Sequence, residues 1–121
     1  MEDGLTQVPG TPIGSRRHVF DVAEAFIKAN ISSPIELKHL CRLTRVSERT
    51  VRNAFHEGCG MSPKQFLLRA RLNHVRETLR ELGSQVTVTT VATDCGFSEL
   101  GRFAGRYKAT FGEYPSDTLR R

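Results

Sequence analysis

The sequence predicts an all-α fold: about seven helices arranged as two helix-turn-helix lobes joined by a long central helix. Three observations carry this. Apolar residues recur at spacings of three and four nearly to the end of the chain, with no convincing strand alternation. Helix-start and helix-stop residues punctuate that pattern at regular points. One part of the pattern also occurs twice, which divides the chain into residues 1–15 (tail or linker), 16–62 (first lobe), 63–82 (connecting helix) and 83–121 (second lobe).

Taken in order, residues 1 to about 15 (MEDGLTQVPGTPIGS) are rich in Gly, Pro and Thr and read as a flexible tail or interdomain linker. From Arg17 to Ala29, Val19, Val22, Ala23, Phe26 and Ile27 form one apolar stripe. Ser33-Pro34-Ile35-Glu36 has the form of a capping box with Pro at the first helical position, opening a short helix that turns Leu37, Leu40 and Cys41 inward. Ser47 caps the next helix, whose inward residues are Val51, Ala54 and Phe55, and Gly58 is placed to end it.

Ser62-Pro63-Lys64-Gln65 is a second capping box, and from it a helix runs to Leu82 with Phe66, Leu67, Ala70, Leu72, Val75 and Leu79 as its apolar set. Its 20 residues span about 30 Å at the ordinary helical rise. Gly83 stops it, Thr87 caps a short helix bearing Val88, Val91 and Ala92, and Gly96 breaks that one. Ser98 or Glu99 starts a helix with Phe103 and Tyr107; Phe111-Gly112 closes it, and Pro115 begins a last turn.

Leu40, Cys41, Val46 and Ser47 recur 51 residues later as Val91, Ala92, Phe97 and Ser98. Beyond the serine the offset is 52, pairing Val51 with Phe103, Phe55 with Tyr107, Gly60 with Gly112 and Pro63 with Pro115. Each copy is a short helix, a tight turn of three or four residues and a longer second helix. In that plan the first helix braces and the second enters the DNA major groove. Successive groove faces lie roughly 34 Å apart, close to the length of the connecting helix, so a single chain reading an asymmetric site is expected.

Charge agrees. Residues 38–76 hold nine basic side chains (Lys38, Arg42, Arg45, Arg49, Arg52, Lys64, Arg69, Arg71, Arg76) against Glu48 and Glu57, a balance of +7, with −2 before and 0 after. Such a block is the footprint of a polyanion partner, and its preference for Arg over Lys suits forked contacts to phosphate or guanine. The same face leaves open an alternative, a helical adaptor module that binds an acidic protein partner through residues 38–76. Cys41, Cys59 and Cys95 lack metal-site or disulfide spacing and read as reduced thiols. No nucleophile elbow, phosphate loop, HExxH or paired carboxylate is present, so neither an enzyme nor a bound metal or cofactor is expected. Without a signal peptide or an apolar run of membrane length, a cytoplasmic, nucleoid-associated location is the expectation.

"VSERTVRNAFHEGCGMSPKQFLLRARL" (46–72) and "VATDCGFSELGRFAGRYKATFGEYPSDTLR" (91–120) resemble the AraC/XylS-type transcription regulators, and the resemblance runs from His18 to Arg121. It implies seven helices in two lobes, binding to double-stranded promoter DNA, and recruitment of RNA polymerase by an activator. It also implies a separate N-terminal sensing or dimerisation domain in the full protein. The linker-like start favours an excised C-terminal domain over a stand-alone regulator.

The resemblance puts base contacts on the outward face of each second helix, about 47–57 and 99–110. In the first copy that face carries Glu48, Arg49, Arg52, Asn53 and His56. Arg49 and Arg52 suit guanine O6 and N7, and Asn53 suits adenine N6 and N7. Glu48 fits either cytosine N4 or the helix N-terminus alone. In the second copy Arg102 and Arg106 are the expected readers, with Leu100 against a thymine methyl; Gly105 stands where many relatives carry Arg. Backbone contacts are expected from Lys38, Arg45, Ser47, Lys64, Ser98 and Lys108. Arg45 occupies a turn position where helix-turn-helix units often use Gly. The glycine-thinned second helix leaves most sequence discrimination to the first.

Overall fold

The computed structural model describes residues 15–121, so the expected tail lies, up to residue 14, outside the described residues. Among them are seven α-helices and no strand: α1 (Arg16–Ala29), α2 (Leu37–Thr44), α3 (Glu48–Cys59), α4 (Pro63–Leu82), α5 (Val88–Asp94), α6 (Leu100–Phe111) and α7 (Pro115–Arg120). A short 3-10 turn, Gly83–Gln85, follows α4. The residues form two compact units, one holding α1 and Ile35–Leu67, the other Ile31–Pro34 and Leu68–Arg121.

In the first unit α1 buries Val19, Phe20, Ala23 and Ile27, and the core is completed by Leu40, Val51, Ala54, Phe55 and Phe66. Of the expected stripe Val22 and Phe26 are only half-buried, and Phe20, outside it, is buried instead. Phe20, Phe55 and Phe66 meet edge to face, with ring centroids 5.1, 6.0 and 5.5 Å apart for the three pairs. Each buried side chain of this size contributes about 1.5–3 kcal/mol, and the edge-to-face geometry adds to it. Gly58 does not end α3, which continues to Cys59 and is closed by Gly60 in the left-handed conformation. Its role is packing: a Cβ at Gly58 would stand 2.6 Å from Cγ of Phe20.

The proposed capping box at Ser33 is also corrected. Helix α2 starts four residues later, at Leu37, with Glu36 as its cap; the Glu36 N–H donates to Nδ1 of His39 at 2.9 Å. Ser33-Pro34 is held elsewhere. Arg71 donates from Nε to the Ile31 carbonyl at 3.0 Å and from Nη2 to the Ser33 carbonyl at 2.6 Å, all within the second unit. The serine signals at Ser47 and Ser62 act as the sequence indicates. Ser47 Oγ accepts from the Thr50 N–H at 3.2 Å, and Ser62 and Gln65 exchange both bonds of a capping box at 2.9 and 3.1 Å.

The second unit closes around Leu72, Val75 and Leu79 of α4, Val91, Ala92 and Cys95, and Phe103 and Tyr107 of α6. An aromatic series, Phe97, Phe103, Tyr107 and Phe111, runs through it with successive centroids 4.6, 5.8 and 4.7 Å apart. Burying Tyr107 requires a partner for its hydroxyl. That hydroxyl donates to Thr118 Oγ1 at 2.8 Å, and Thr118 in turn donates to the Glu113 carboxylate. Thus α7 is locked to α6 by one polar chain inside an apolar core.

Candidate nucleic-acid interface

The two helix-turn-helix copies can be laid over each other residue by residue. Leu40, Val51 and Phe55 are buried in one, and Val91, Phe103 and Tyr107, their counterparts, in the other. Gly60 and Gly112 are both left-handed C-caps, at φ 73° and 81°, and Pro63 and Pro115 both open the next helix.

The turns match at their key position and then diverge. Arg45 (φ 60°) and Gly96 (φ 98°) are both left-handed, and Arg45 is the sole non-glycine residue with positive φ among the described residues. A side chain there costs roughly 1–2 kcal/mol that glycine avoids. At Gly96 the chain forms a Schellman motif, with Gly96 N–H to Thr93 O at 3.0 Å and Phe97 N–H to Ala92 O at 3.0 Å. The first turn has three residues between its helices, but the second has five rather than three or four. Of the two expected starts, Glu99 and not Ser98 holds the N-cap position of α6, and its side chain makes no capping hydrogen bond.

On α3 the buried residues Val51, Ala54 and Phe55 leave Arg49, Arg52 and His56 exposed on the opposite face, with Asn53 half-buried at its margin. On α6, Arg102, Gly105 and Arg106 are exposed. Leu100 is partly committed: it packs against the second unit's core. Two of the four arginines are engaged by carboxylates, Arg52 by Glu48 at 3.4 Å and Arg102 by Glu99 at 3.1 Å. Arg49 and Arg106 make no ion pair among the described residues. The carboxylate partners escaped the sequence reading, although both spacings (four and three residues along a helix) are a recognisable pairing signal.

Among the residues expected at the backbone, Lys38, Arg45, Ser47, Lys64 and Ser98 are exposed, Lys38 beside Glu36 at 3.6 Å. Lys108 is turned to the end of its own helix, donating to the Gly112 carbonyl at 3.3 Å and lying 5.1 Å from the centre of the Tyr114 ring. Two members of the basic block serve the fold. Arg71 binds Ile31 and Ser33, and the Arg76 guanidinium carbon lies 4.7 Å from the Phe111 centroid with Nε buried and without a hydrogen-bond partner among the described residues. The aromatic face supplies the compensation for that charge. The basic surface is therefore narrower than the sequence block.

Cys95 is fully buried, its Sγ 3.7 Å from the Arg71 carbonyl, and burial pushes its thiol above the usual range; burial does the same at Cys41. Among the described residues no group of three or more His, Cys, Asp or Glu side chains is placed to hold a metal, and no helix is long and apolar enough to cross a membrane.

Residues 40–121 match the sequence pattern of the family described as a helix-turn-helix domain. The chain is similar to the XylDLEGF operon transcriptional activator of Pseudomonas putida, 38% identical over 102 residues that make up 84% of this chain and 32% of that protein. It thus spans about a third of the length of such curated relatives. Among solved structures, a probable AraC family transcriptional regulator from Rhodopseudomonas palustris is 42% identical with a TM-score of 0.79, over 85% of this chain and 95% of that one. The DNA-binding domain of AdpA, solved in complex with a target DNA, shares the fold at a TM-score of 0.73 and 22% identity, over 83% and 88% of the two chains.

Proposed function

The chain belongs to the AraC-type helix-turn-helix family of transcription regulators, a family of DNA-binding domains and not of enzymes, and from that premise we propose that it binds double-stranded promoter DNA sequence-specifically through α3 and α6. The observation that carries the reading is the duplicated unit itself. Two second helices each bury an apolar face, around Val51, Ala54 and Phe55 in one and Phe103 and Tyr107 in the other, and turn an arginine-bearing face outward. That the AdpA domain, with the same fold, was solved on its target DNA supports it.

In this reading α3 and α6 enter successive major-groove segments. Arg49, Arg52 and Asn53 of α3, and Arg102 and Arg106 of α6, contact base edges, and the half-buried Leu100 offers its free side to a thymine methyl. Lys38, Arg45, Ser47, Lys64, Ser98 and Lys108 contact the backbone and set the register. The lobes 16–62 and 83–121 act as separate readers on the connecting helix 63–82 in the nucleoid. Similarity to an operon activator supports the further steps, that binding recruits RNA polymerase and that in a longer protein an N-terminal sensing or dimerisation domain controls it.

A salt titration tests the proposal. Binding of this chain to a promoter duplex should weaken steeply and log-linearly with salt, each phosphate contact adding about 0.9 to the slope. A salt-insensitive interaction, or none with any duplex, contradicts it and returns the basic face to the acidic-protein alternative.

A further inference from the structure

Each outward helix carries one arginine tied to a carboxylate and one without. On α3 these are Arg52, paired with Glu48, and Arg49; on α6 they are Arg102, paired with Glu99, and Arg106. The two copies reach this arrangement by different routes. Glu48 is the first residue of α3, whereas Glu99 is the N-cap of α6 and lies in the longer of the two turns. Glu99 is the residue at which the offset between the copies passes from 51 to 52, so it has no counterpart in the first copy, where Ser47 holds the N-cap position.

Stability does not explain the pairs. The side chains are 58% and 58% exposed in the first and 67% and 65% in the second, and ion pairs so exposed contribute little to folding. What they do change is charge: a guanidinium beside a carboxylate presents almost no net charge to a phosphate several ångströms away. On a surface meant for a polyanion, two carboxylates weaken attraction unless they serve discrimination.

Resting on the DNA-binding reading, we propose that Glu48 and Glu99 are specificity-determining residues. They keep Arg52 and Arg102 from contributing to indiscriminate phosphate binding and release them to a G·C base pair. In the major groove such a pair offers O6 and N7 of guanine to the guanidinium and the N4 amino group of cytosine to the carboxylate, so both partners of the broken ion pair find new ones. An A·T pair lacks the two adjacent purine acceptors that the guanidinium fork needs, and bare phosphate leaves the carboxylate with no donor. Arg49 and Arg106, with no carboxylate paired to them among the described residues, keep their full charge toward any duplex as well as reaching base edges.

The test compares the 121-residue chain with its Glu48→Gln, Glu99→Gln and Glu48→Asp variants. Each is titrated with a random-sequence duplex pool and with the duplex that the parent selects from random DNA. Both glutamates are exposed, so the variants fold. Each Glu→Gln change is expected to tighten binding to the random pool on the order of two- to fivefold, to steepen the salt slope by up to about 0.9, and to lower the ratio of selected to random affinity. Glu48→Asp, which keeps the charge, should retain most of that ratio. If the parent binds DNA but both glutamine variants keep its random-pool affinity, salt slope and ratio, the inference is overturned while the DNA-binding reading stands. A parent that shows no salt-dependent binding overturns both.

Discussion

Gly58 faces the ring of Phe20 so closely that a Cβ would meet Cγ at 2.6 Å. Helix α1 packs on α3 at that point because α3 offers no side chain. Gly58→Ala is therefore expected to destabilise the chain: overpacking costs about 1–3 kcal/mol, against a gain of about 1 kcal/mol in helix propensity. Gly105→Ala should do the reverse, since nothing lies within 4 Å of a Cβ built there and α6 gains roughly 1 kcal/mol. Urea unfolding of both variants checks the pair; equal shifts of the same sign would contradict this packing.

Arg45 holds the left-handed position that Gly96 holds in the second copy. Arg45→Gly should leave stability unchanged or raise it by up to about 1 kcal/mol, strain relief being partly offset by greater freedom of the unfolded chain. If the side chain is retained for a phosphate, the same variant should bind DNA more weakly with a salt slope shallower by about 0.9. A stabilised variant with an unchanged slope would remove Arg45 from the contact set.

Arg71 lies in the basic block yet holds the Ile31 and Ser33 carbonyls. Arg71→Lys loses the fork that reaches both and should cost about 1–3 kcal/mol. Its salt slope on DNA, measured where the variant is still folded, should match the parent's. A shallower slope with unchanged stability would make Arg71 a phosphate contact instead.

Glu113 accepts from Thr118 beneath Tyr107 and pairs with Arg121 at 2.8 Å. The Thr118 hydrogen bond first, and then the Arg121 charge, hold its carboxyl below the ordinary value of 4.5. Because the folded value lies below the unfolded one, the unfolded chain binds more protons in this range. The contribution is thus complete above 4.5 and is lost as pH falls through the folded value. Glu113→Gln should flatten the acid limb of stability against pH; a limb of unchanged steepness would assign the acid loss to other carboxylates.

What the sequence made legible was what local chemistry controls. The apolar stripes, the caps at Ser47, Ser62 and Thr87 and the breaks at Gly83, Gly96 and Gly112 all follow from one helix at a time. Where a partner distant in sequence decides, local reading failed. Ser33 has the spacing of a cap, but Arg71, 38 residues away, holds its carbonyl outside any helix. Gly58 resembles a stop, yet its lack of a side chain answers to Phe20 on another helix. Among the expected DNA contacts, exposure of Arg49, Arg52, Arg102 and Arg106 followed from periodicity. The half-burial of Asn53 and Leu100, and the diversion of Arg71 and Arg76 from the basic face, depended on tertiary packing.

Selection of binding sites from random DNA, repeated with Arg52→Ala and Arg102→Ala, tests most directly whether one chain reads DNA through two unequal helices. The expected result is an asymmetric site with two preferred segments about one helical turn apart, the stronger preference lying in the segment that Arg52→Ala relaxes. Arg102→Ala should relax the weaker segment alone. A palindromic site, a single segment, or equal loss of preference in both segments from either variant would contradict it.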